Sequence, residues 1–172
     1  MSYTIRRLSD AEAEALRPAL CELLADSVES GASIGFLPPL PPSEAENYWQ
    51  AVAADVAAGR RVLLVAEQDG AIVGAAQLEF AAKPNARHRA EVQKLLVHAS
   101  QRGHGIAGAL MREIEALARQ HGRTLVYLDT KQGDTAERLY ERWGYTRAGV
   151  IPNYAANAEG TLDSTVIFYK SL

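Results

Sequence analysis

The chain predicts an α/β fold with a central mixed, mostly antiparallel sheet and helices on both faces. Three observations carry this expectation. Short apolar runs of strand length adjoin through tight turns, so several neighbouring strands pair antiparallel. Other strands are separated by amphipathic runs of helical period, which must cover the sheet. The chain has 172 residues, 48% hydrophobic and 23% charged, which suits one compact unit spanning residues 1–172.

"YTIRRL" opens the chain as a short strand. Ser9 and Glu12 form a capping box that starts a helix, with Leu16, Leu20, Leu23 and Leu24 on one face and Pro18 as a kink. "GASIGF" reads as a loop, and the four prolines of "FLPPLPP" make a stiff connector between helices. Ser43 and Glu46 suggest a second capping box, followed by Tyr48, Trp49, Val52 and Val56 at helical spacing and by Gly59 as a stop. "RRVLLVAEQDGAIVGAAQLEF" is a hairpin turning at Asp69-Gly70. After the connection "KPNARHR", "RAEVQKLLVHAS" is a further strand. The next helix buries Ile106, Leu110, Ile114 and Leu117 and turns Arg112, Glu113, Glu115 and Arg119 outward. "TLVYLD" is a buried strand. Asp134 and Glu137 open a helix with Ala136, Leu139, Tyr140 and Trp143 on one face, stopped by Gly144. "YTRAGV" and "STVIFYK" close the sheet.

Composition removes several function classes. A formal net charge of −3 argues against general nucleic-acid binding. No stretch approaches the ~20 apolar residues of a membrane span, and the polar N-terminus lacks a signal-peptide core. The one cysteine, Cys21, lies among apolar helix residues as filler, and its solitude fits a reducing, cytoplasmic setting. His88, His98, His104 and His121 show no metal-ligand spacing, so no metal is expected.

The chemistry centres on "QRGHGIAGAL". Gly103, Gly105 and Gly108 make a literal G-x-G-x-x-G between a strand and a helix, with the acidic Asp129 at the end of the next strand. A dinucleotide domain does not fit. "HASQR" separates Val97 from the first glycine, a hairpin-rich meander lies upstream, and too little chain follows Asp129. The physics of the turn remains: glycines permit close backbone approach, and the helix aims free amides and its positive dipole end at a bound anion. A pyrophosphate suits it.

"LLVHASQRGHGIAGALM" resembles motif A of the GNAT acetyltransferases, [QR]-x-x-G-x-[GA] after an L-x-V-like strand, through Leu95, Val97, Arg102, Gly105 and Ala107. "AERLYERWGY" resembles that family's A-x-x-L-Y-x-x-x-G-[FY] pattern at Ala136, Leu139, Tyr140, Gly144 and Tyr145. "GASIGF", "KPNARHRAEVQKLLV", "LDTKQGDTAERLY" and "NYAANAEGTLDSTVIFYK" are similar to segments of the tabtoxin-resistance acetyltransferases, which modify a β-lactam-bearing amino-acid toxin. The resemblance implies a GNAT acyltransferase fold and acetyl-CoA as co-substrate. It implies that Arg102, Gly103, His104, Gly105, Ile106, Ala107 and Gly108 bind the pyrophosphate through their backbone. Leu95, Leu96 and Val97 would pair with the pantetheine arm like an added strand. Tyr140 would act as general acid near the thioester sulfur, and Glu91 and Asp129 would face the acceptor amine. Two positions depart from the family pattern: Gly133 stands where many relatives have an asparagine, and Ala99 where a proline is common.

Acetylating an amine needs its neutral form, and an α-amino group near ~8 costs about 1.4 kcal/mol to deprotonate at pH 7, against about 4.6 kcal/mol for a lysine near ~10.4. Glu91 or Asp129 is the candidate base, directly or through water. Alternation along the strand puts Glu91 on one face with Gln93 and Leu95. A tyrosine near ~10 protonating a thiolate near ~8.5 works uphill by about 2 kcal/mol, which is tolerable. Lys83, Arg87, His88 and Arg89 are candidates to grip an acceptor carboxylate, and Ser33 and Phe36 are candidate acceptor contacts. The leading expectation is acetyl transfer to a small amino-acid-like amine by a monomer or homodimer. The alternatives are acetylation of a protein or peptide amine, which needs an open groove, and a non-catalytic acyl-CoA-binding module.

Overall fold

The computed structural model describes residues 2–172. The first elements are β1 (Thr4–Leu8), α1 (Asp10–Ala15), α2 (Arg17–Glu29), α3 (Pro42–Ala57), β2 (Arg61–Gln68) and β3 (Ala71–Phe80). Then come β4 (Arg89–Val97), α4 (Ile106–Gln120), β5 (Leu125–Lys131), α5 (Thr135–Arg142), β6 (Thr146–Ala156) and β7 (Leu162–Ser171). One seven-stranded sheet runs β1-β2-β3-β4-β5-β7-β6. Every neighbouring pair is antiparallel except β4 and β5, which are parallel.

Helices cover both faces, as expected. On one face Ile106, Leu110, Met111 and Ile114 of α4 and Tyr140 of α5 pack on Val62, Leu64, Leu78 and Phe168. Each fully buried aliphatic side chain of this kind contributes about 1.5–3 kcal/mol. On the other face Leu20, Leu23 and Leu24 of α2 and Trp49 and Val52 of α3 pack on Leu63, Val65, Ala75 and Leu96. The close seat of α4 depends on Gly74 of β3, where a Cβ would lie 3.0 Å from Ile106 Cγ2 and 3.1 Å from the Leu96 carbonyl oxygen.

Local signals place most boundaries. Ser9 and Glu12 form the reciprocal capping box at α1. Asp69 and Gly70 turn the β2–β3 hairpin with φ of 51° and 80°, the left-handed pair such a turn demands. Asp134 caps α5 by accepting from the Ala136 amide.

Four expectations are corrected. The first helix is two: Leu16 closes α1 and opens α2, and Pro18, having no N–H, sits in the first turn of α2. Ser43 does not cap α3. Pro41 precedes the helix at φ −63° and Pro42 occupies its first turn, so the start moves ahead of Ser43. Glu115 is not on the outer face of α4. It is buried and accepts from Lys170 Nζ at 2.8 and 2.9 Å, and Lys170 also donates to the Trp143 carbonyl at 2.7 Å. The buried charge persists because a partner from β7 reaches it.

The fourth correction matters most for the site. Alternation along β4 does not run unbroken from Glu91 to Leu95. Gln77 of β3 pairs with Gln93, but Ala75 pairs with Leu96, so β4 carries one extra residue there. Lys94 adopts φ 48° in this bulge. Glu91 and Gln93 therefore share the α1–α3 face, whereas Leu95 and Val97 pack toward the α4 face.

Candidate active site

The parallel pair β4–β5 is short. Only Arg89, Ala90 and Glu91 pair with Leu125, Val126 and Tyr127, and beyond Glu91 the strands part. The second half of β4 thus keeps its β5-facing backbone edge free, and a cleft opens between β4, α4 and α5. Its volume is about 950 Å³, and Leu95, Val97, Arg102, Gly105, Ala107 and Tyr140 are among its lining residues.

One end of this cleft is the glycine turn. Gly103 and Gly105 both adopt φ 81°, and Gly105 caps α4 from the left-handed region with no side chain on the helix end. No acidic residue stands in the first turn. The first amide of α4 to find an internal acceptor is that of Ala109, which donates to the Gly105 carbonyl at 3.1 Å. Among the described residues the amides of Gly103 through Gly108 have no acceptor, and the helix dipole favours an anion there. The Arg102 amide is less free, since it lies 3.5 Å from the Ala99 carbonyl. The Arg102 guanidinium does not enter the cleft as a free cation. It donates to the Val97 carbonyl at 3.2 Å and to Ser30 Oγ at 2.6 Å, tying the turn to α2. His104 does not line the cleft, and its Nδ1 sits 3.2 Å from the Gln101 carbonyl.

The departures from the family pattern have local explanations. Ala99 keeps an N–H that proline would lack, and it donates to Asp26 Oδ2 of α2 at 2.8 Å. Asp26 also meets His98 Nε2 at 3.4 Å. At Gly133 the backbone adopts φ 85° and its amide is taken by the Glu137 carboxylate, which closes the first turn of α5.

The second cavity, of about 350 Å³, adjoins the first. Ser33 and Gly35 of the α2–α3 loop, Glu91 and Lys94 of β4, Asp129 of β5, and Tyr154 of β6 all line it. Tyr140 lines both cavities. It is buried against Trp143, Tyr145 and Phe168, at ring-centroid distances of 5.7–5.8 Å. Burial, and then the charges of Asp134 and Asp129, push its phenol well above the ordinary tyrosine range. It therefore stays protonated through the neutral range.

Glu91 accepts a hydrogen bond from the Tyr127 hydroxyl at 3.0 Å. Desolvation and the Glu91 charge push Tyr127 up to about 12. Asp129 Oδ2 accepts from the Thr165 hydroxyl of β7 at 2.7 Å. Each carboxylate is thus oriented by a neutral hydroxyl rather than neutralised by a cation. Lys131, also on this wall, is already paired with Asp163 at 2.7 Å.

Other sequence candidates fall elsewhere. Lys83, Arg87, His88 and Arg89 sit at the start of β4 and line neither cavity. Arg89 lies over the Tyr127 ring at 5.8 Å instead. Phe36 stands one layer behind the pocket wall, edge-on to Tyr48 at 5.3 Å. Leu96 borders the cleft, but its side chain is buried on the α2–α3 face. Cys21 packs beside the α2–α3 core and borders neither cavity, and burial raises its thiol.

Two residues escaped the sequence reading. Lys94 points into the second cavity with Phe36 and Tyr48 at 5.8 and 5.7 Å. Arg61, buried below, donates to Gln77 at 2.5 Å, Glu79 at 2.8 Å and Gln93 at 3.0 Å. Gln77 in turn donates to the Tyr48 hydroxyl at 2.8 Å and fixes that ring. A bulge is not visible in a run such as "EVQKLLV", so Lys94 gave no signal.

The chain is similar to proteins named as N-acetyltransferases. A relative 30% identical over 138 residues, 78% of this chain and 80% of its own length, is an uncharacterized N-acetyltransferase in the hisH-hisA intergenic region of Azospirillum brasilense. The crystal structure of a ribosomal-protein-alanine N-acetyltransferase from Brucella melitensis superposes with TM-score 0.83 at 26% identity, covering 98% of this chain and 99% of that one. The protein yncA from Salmonella typhimurium, solved with its cofactor acetyl-CoA, shares the fold at TM-score 0.78 and 20% identity, covering 100% of this chain and 95% of that one. The acetyltransferase (GNAT) family profile matches residues 20–145, and the chain belongs to that family of enzymes.

Proposed function

We propose that residues 1–172 form one N-acetyltransferase unit that passes acetyl from acetyl-CoA directly to a small amino-acid-like amine in a ternary complex. The observation that carries this reading is the meeting of two cavities at Tyr140, one bordered by backbone amides without an acceptor among the described residues and the other by two carboxylates that make no salt bridge. The residues fit acetyl-CoA. The amides of Gly103 through Gly108 have no acceptor among the described residues at an uncapped helix end. The β5-facing edge of β4 at Leu95–Val97, which no strand covers and where only the Val97 carbonyl is engaged by Arg102, offers strand-like pairing. Bound there, acetyl-CoA supplies an activated acetyl group as its thioester.

The chain's own residues handle protons. Glu91 or Asp129 holds the acceptor's ammonium and takes its proton, directly or through water. Tyr140 keeps its proton at neutral pH and donates a hydrogen bond, then the proton, toward the departing sulfur. The raised phenol makes this transfer steeper than between the free groups, so Tyr140 acts first as a hydrogen-bond donor to the sulfur and gives up its proton as negative charge develops there. No cysteine borders either cavity to carry the acetyl covalently, which favours direct attack.

The narrower likeness to tabtoxin-resistance acetyltransferases makes a toxin-like amino acid one acceptor to try. A second reading, acetylation of a protein N-terminus, is favoured by the name of the Brucella relative. The loop Ala32–Gly35 and the β6 residues Tyr154 and Ala155 wall the acceptor cavity and favour the small molecule instead. An acetyl-CoA turnover screen over amino acids, toxin-like amino acids, polyamines and peptides tests this. Preference for free amino acids supports the proposal, and preference for peptides with a free N-terminus overturns it.

A further inference from the structure

Lys94 is held in an expensive position. It is a non-glycine residue at φ 48°, in a bulge that interrupts the strand bearing Glu91. Backbone in that region costs about 1–3 kcal/mol when the surroundings enforce it. The bulge turns the lysine into the acceptor cavity, where its ammonium is largely removed from water. It makes no salt bridge or hydrogen bond among the described residues, although the charges of Asp129 and Glu91 act on it at longer range. Its neighbours are the Phe36 and Tyr48 rings, at 5.8 and 5.7 Å, and the α2–α3 loop at Gly35. Gly35 adopts φ 86°, and a Cβ there would lie 3.7 Å from Lys94 Nζ. Ring faces attract an ammonium but leave its three N–H donors unused.

The cavity holds charges of both signs. Glu91 and Asp129 are hydrogen-bonded only to hydroxyls, their charges reach Lys94 without a salt bridge, and the other lysine of the wall, Lys131, is committed to Asp163. Lys94 is the free cation among the described lining residues. Such a cavity matches a molecule that carries both signs. An amine alone, or a polyamine, would bring a second cation toward Lys94. A polar donor left unpaired in a desolvated site is also the arrangement that best rejects ligands lacking the matching group.

We propose that Lys94 is the specificity residue that binds the carboxylate of the acceptor, so that the enzyme selects small zwitterionic amines. This rests on the small-amine reading above. Lys94 binds and orients, while proton transfer stays with the β4–β5 carboxylates and Tyr140. Arg61, through Gln77 and Tyr48, holds the ring that supports it.

The test uses matched acceptors, a free amino acid and the amine that lacks its carboxylate, together with a peptide bearing a free N-terminus. For the native enzyme, kcat/KM for the amino acid should exceed that for its decarboxylated partner by at least tenfold. In Lys94→Met that ratio should collapse toward one, with the change mainly in KM of the amino acid. Lys94→Arg should restore most of it. Unaltered acetyl-CoA affinity in Lys94→Met confirms that the variant is folded, because Lys94 does not line the cofactor cleft. A native ratio near one, or a ratio unchanged in Lys94→Met, overturns the role of Lys94 while leaving the small-amine reading standing. Turnover confined to the peptide overturns both.

Discussion

The glycine turn and the acceptor cavity share a wall at Tyr140 but are built in opposite ways. The turn is one contiguous segment, Gly103–Gly108, that offers backbone amides at a helix end. The cavity is assembled from side chains of the α2–α3 loop, β4, β5, β6 and β7. A backbone site tolerates almost any side chain but demands particular dihedral angles. A side-chain site tolerates backbone variation but demands chemical identity and register. The two should therefore fail differently under mutation.

The largest expected effect is on the acceptor side. Replacing both candidate bases, Glu91→Gln with Asp129→Asn, should cut kcat/KM by about 10²–10⁴ while acetyl-CoA affinity holds, as general-base losses do. Steady-state kinetics and calorimetric titration of acetyl-CoA check this, and the two single variants identify the base. Next is the packing beneath the turn. Gly74→Ala places a Cβ 3.0 Å from Ile106 Cγ2 and 3.1 Å from a backbone oxygen, and should cost about 1–3 kcal/mol in urea unfolding. It should also weaken acetyl-CoA, because Ile106 opens α4. Gly105→Ala is subtler. Its φ of 81° costs a side chain roughly 1–2 kcal/mol, so acetyl-CoA binding should fall about tenfold with little change in acceptor KM.

The smallest effect concerns pH. Burial lowers the Lys94 ammonium below the usual lysine value of 10.5; Arg61 lowers it too, and Asp129 and Glu91 partly oppose the shift. Its charge is thus complete at low pH and is lost on raising pH before a free lysine would lose it. In the native enzyme, KM for a zwitterionic acceptor should rise on the alkaline side, below pH 10.5, more than for the decarboxylated amine. A pH series of both KM values measures it.

The same division explains what was legible in the sequence. Capping at Ser9 and Asp134, the Asp69-Gly70 hairpin and the glycine turn are local, so residue type and spacing announce them. The strand order followed from apolar period and turn residues, whereas the helix order missed the break at Leu16 that makes the first helix two. The acceptor cavity depends on register between distant strands. One inserted residue at Lys94 moved Leu95 to the opposite face from Glu91 and brought in a lysine that alternation alone cannot place. Glu115 looked external because its partner, Lys170, lies on the last strand. The basic cluster before β4 looked suited to a carboxylate by composition, but the strand carries it to the wrong end. The prolines before α3 shifted a cap by fixing φ early, a backbone effect that outweighed the Ser43–Glu46 signal.

If the two separately built cavities act as one site, the Tyr140 hydroxyl, which belongs to a residue lining both, is where they join. Tyr140→Phe keeps the ring packing against Trp143, Tyr145 and Phe168 and removes only the hydroxyl. In this variant kcat should fall by about 10² or more while the acetyl-CoA dissociation constant changes less than twofold. Turnover equal to that of the native enzyme would contradict it.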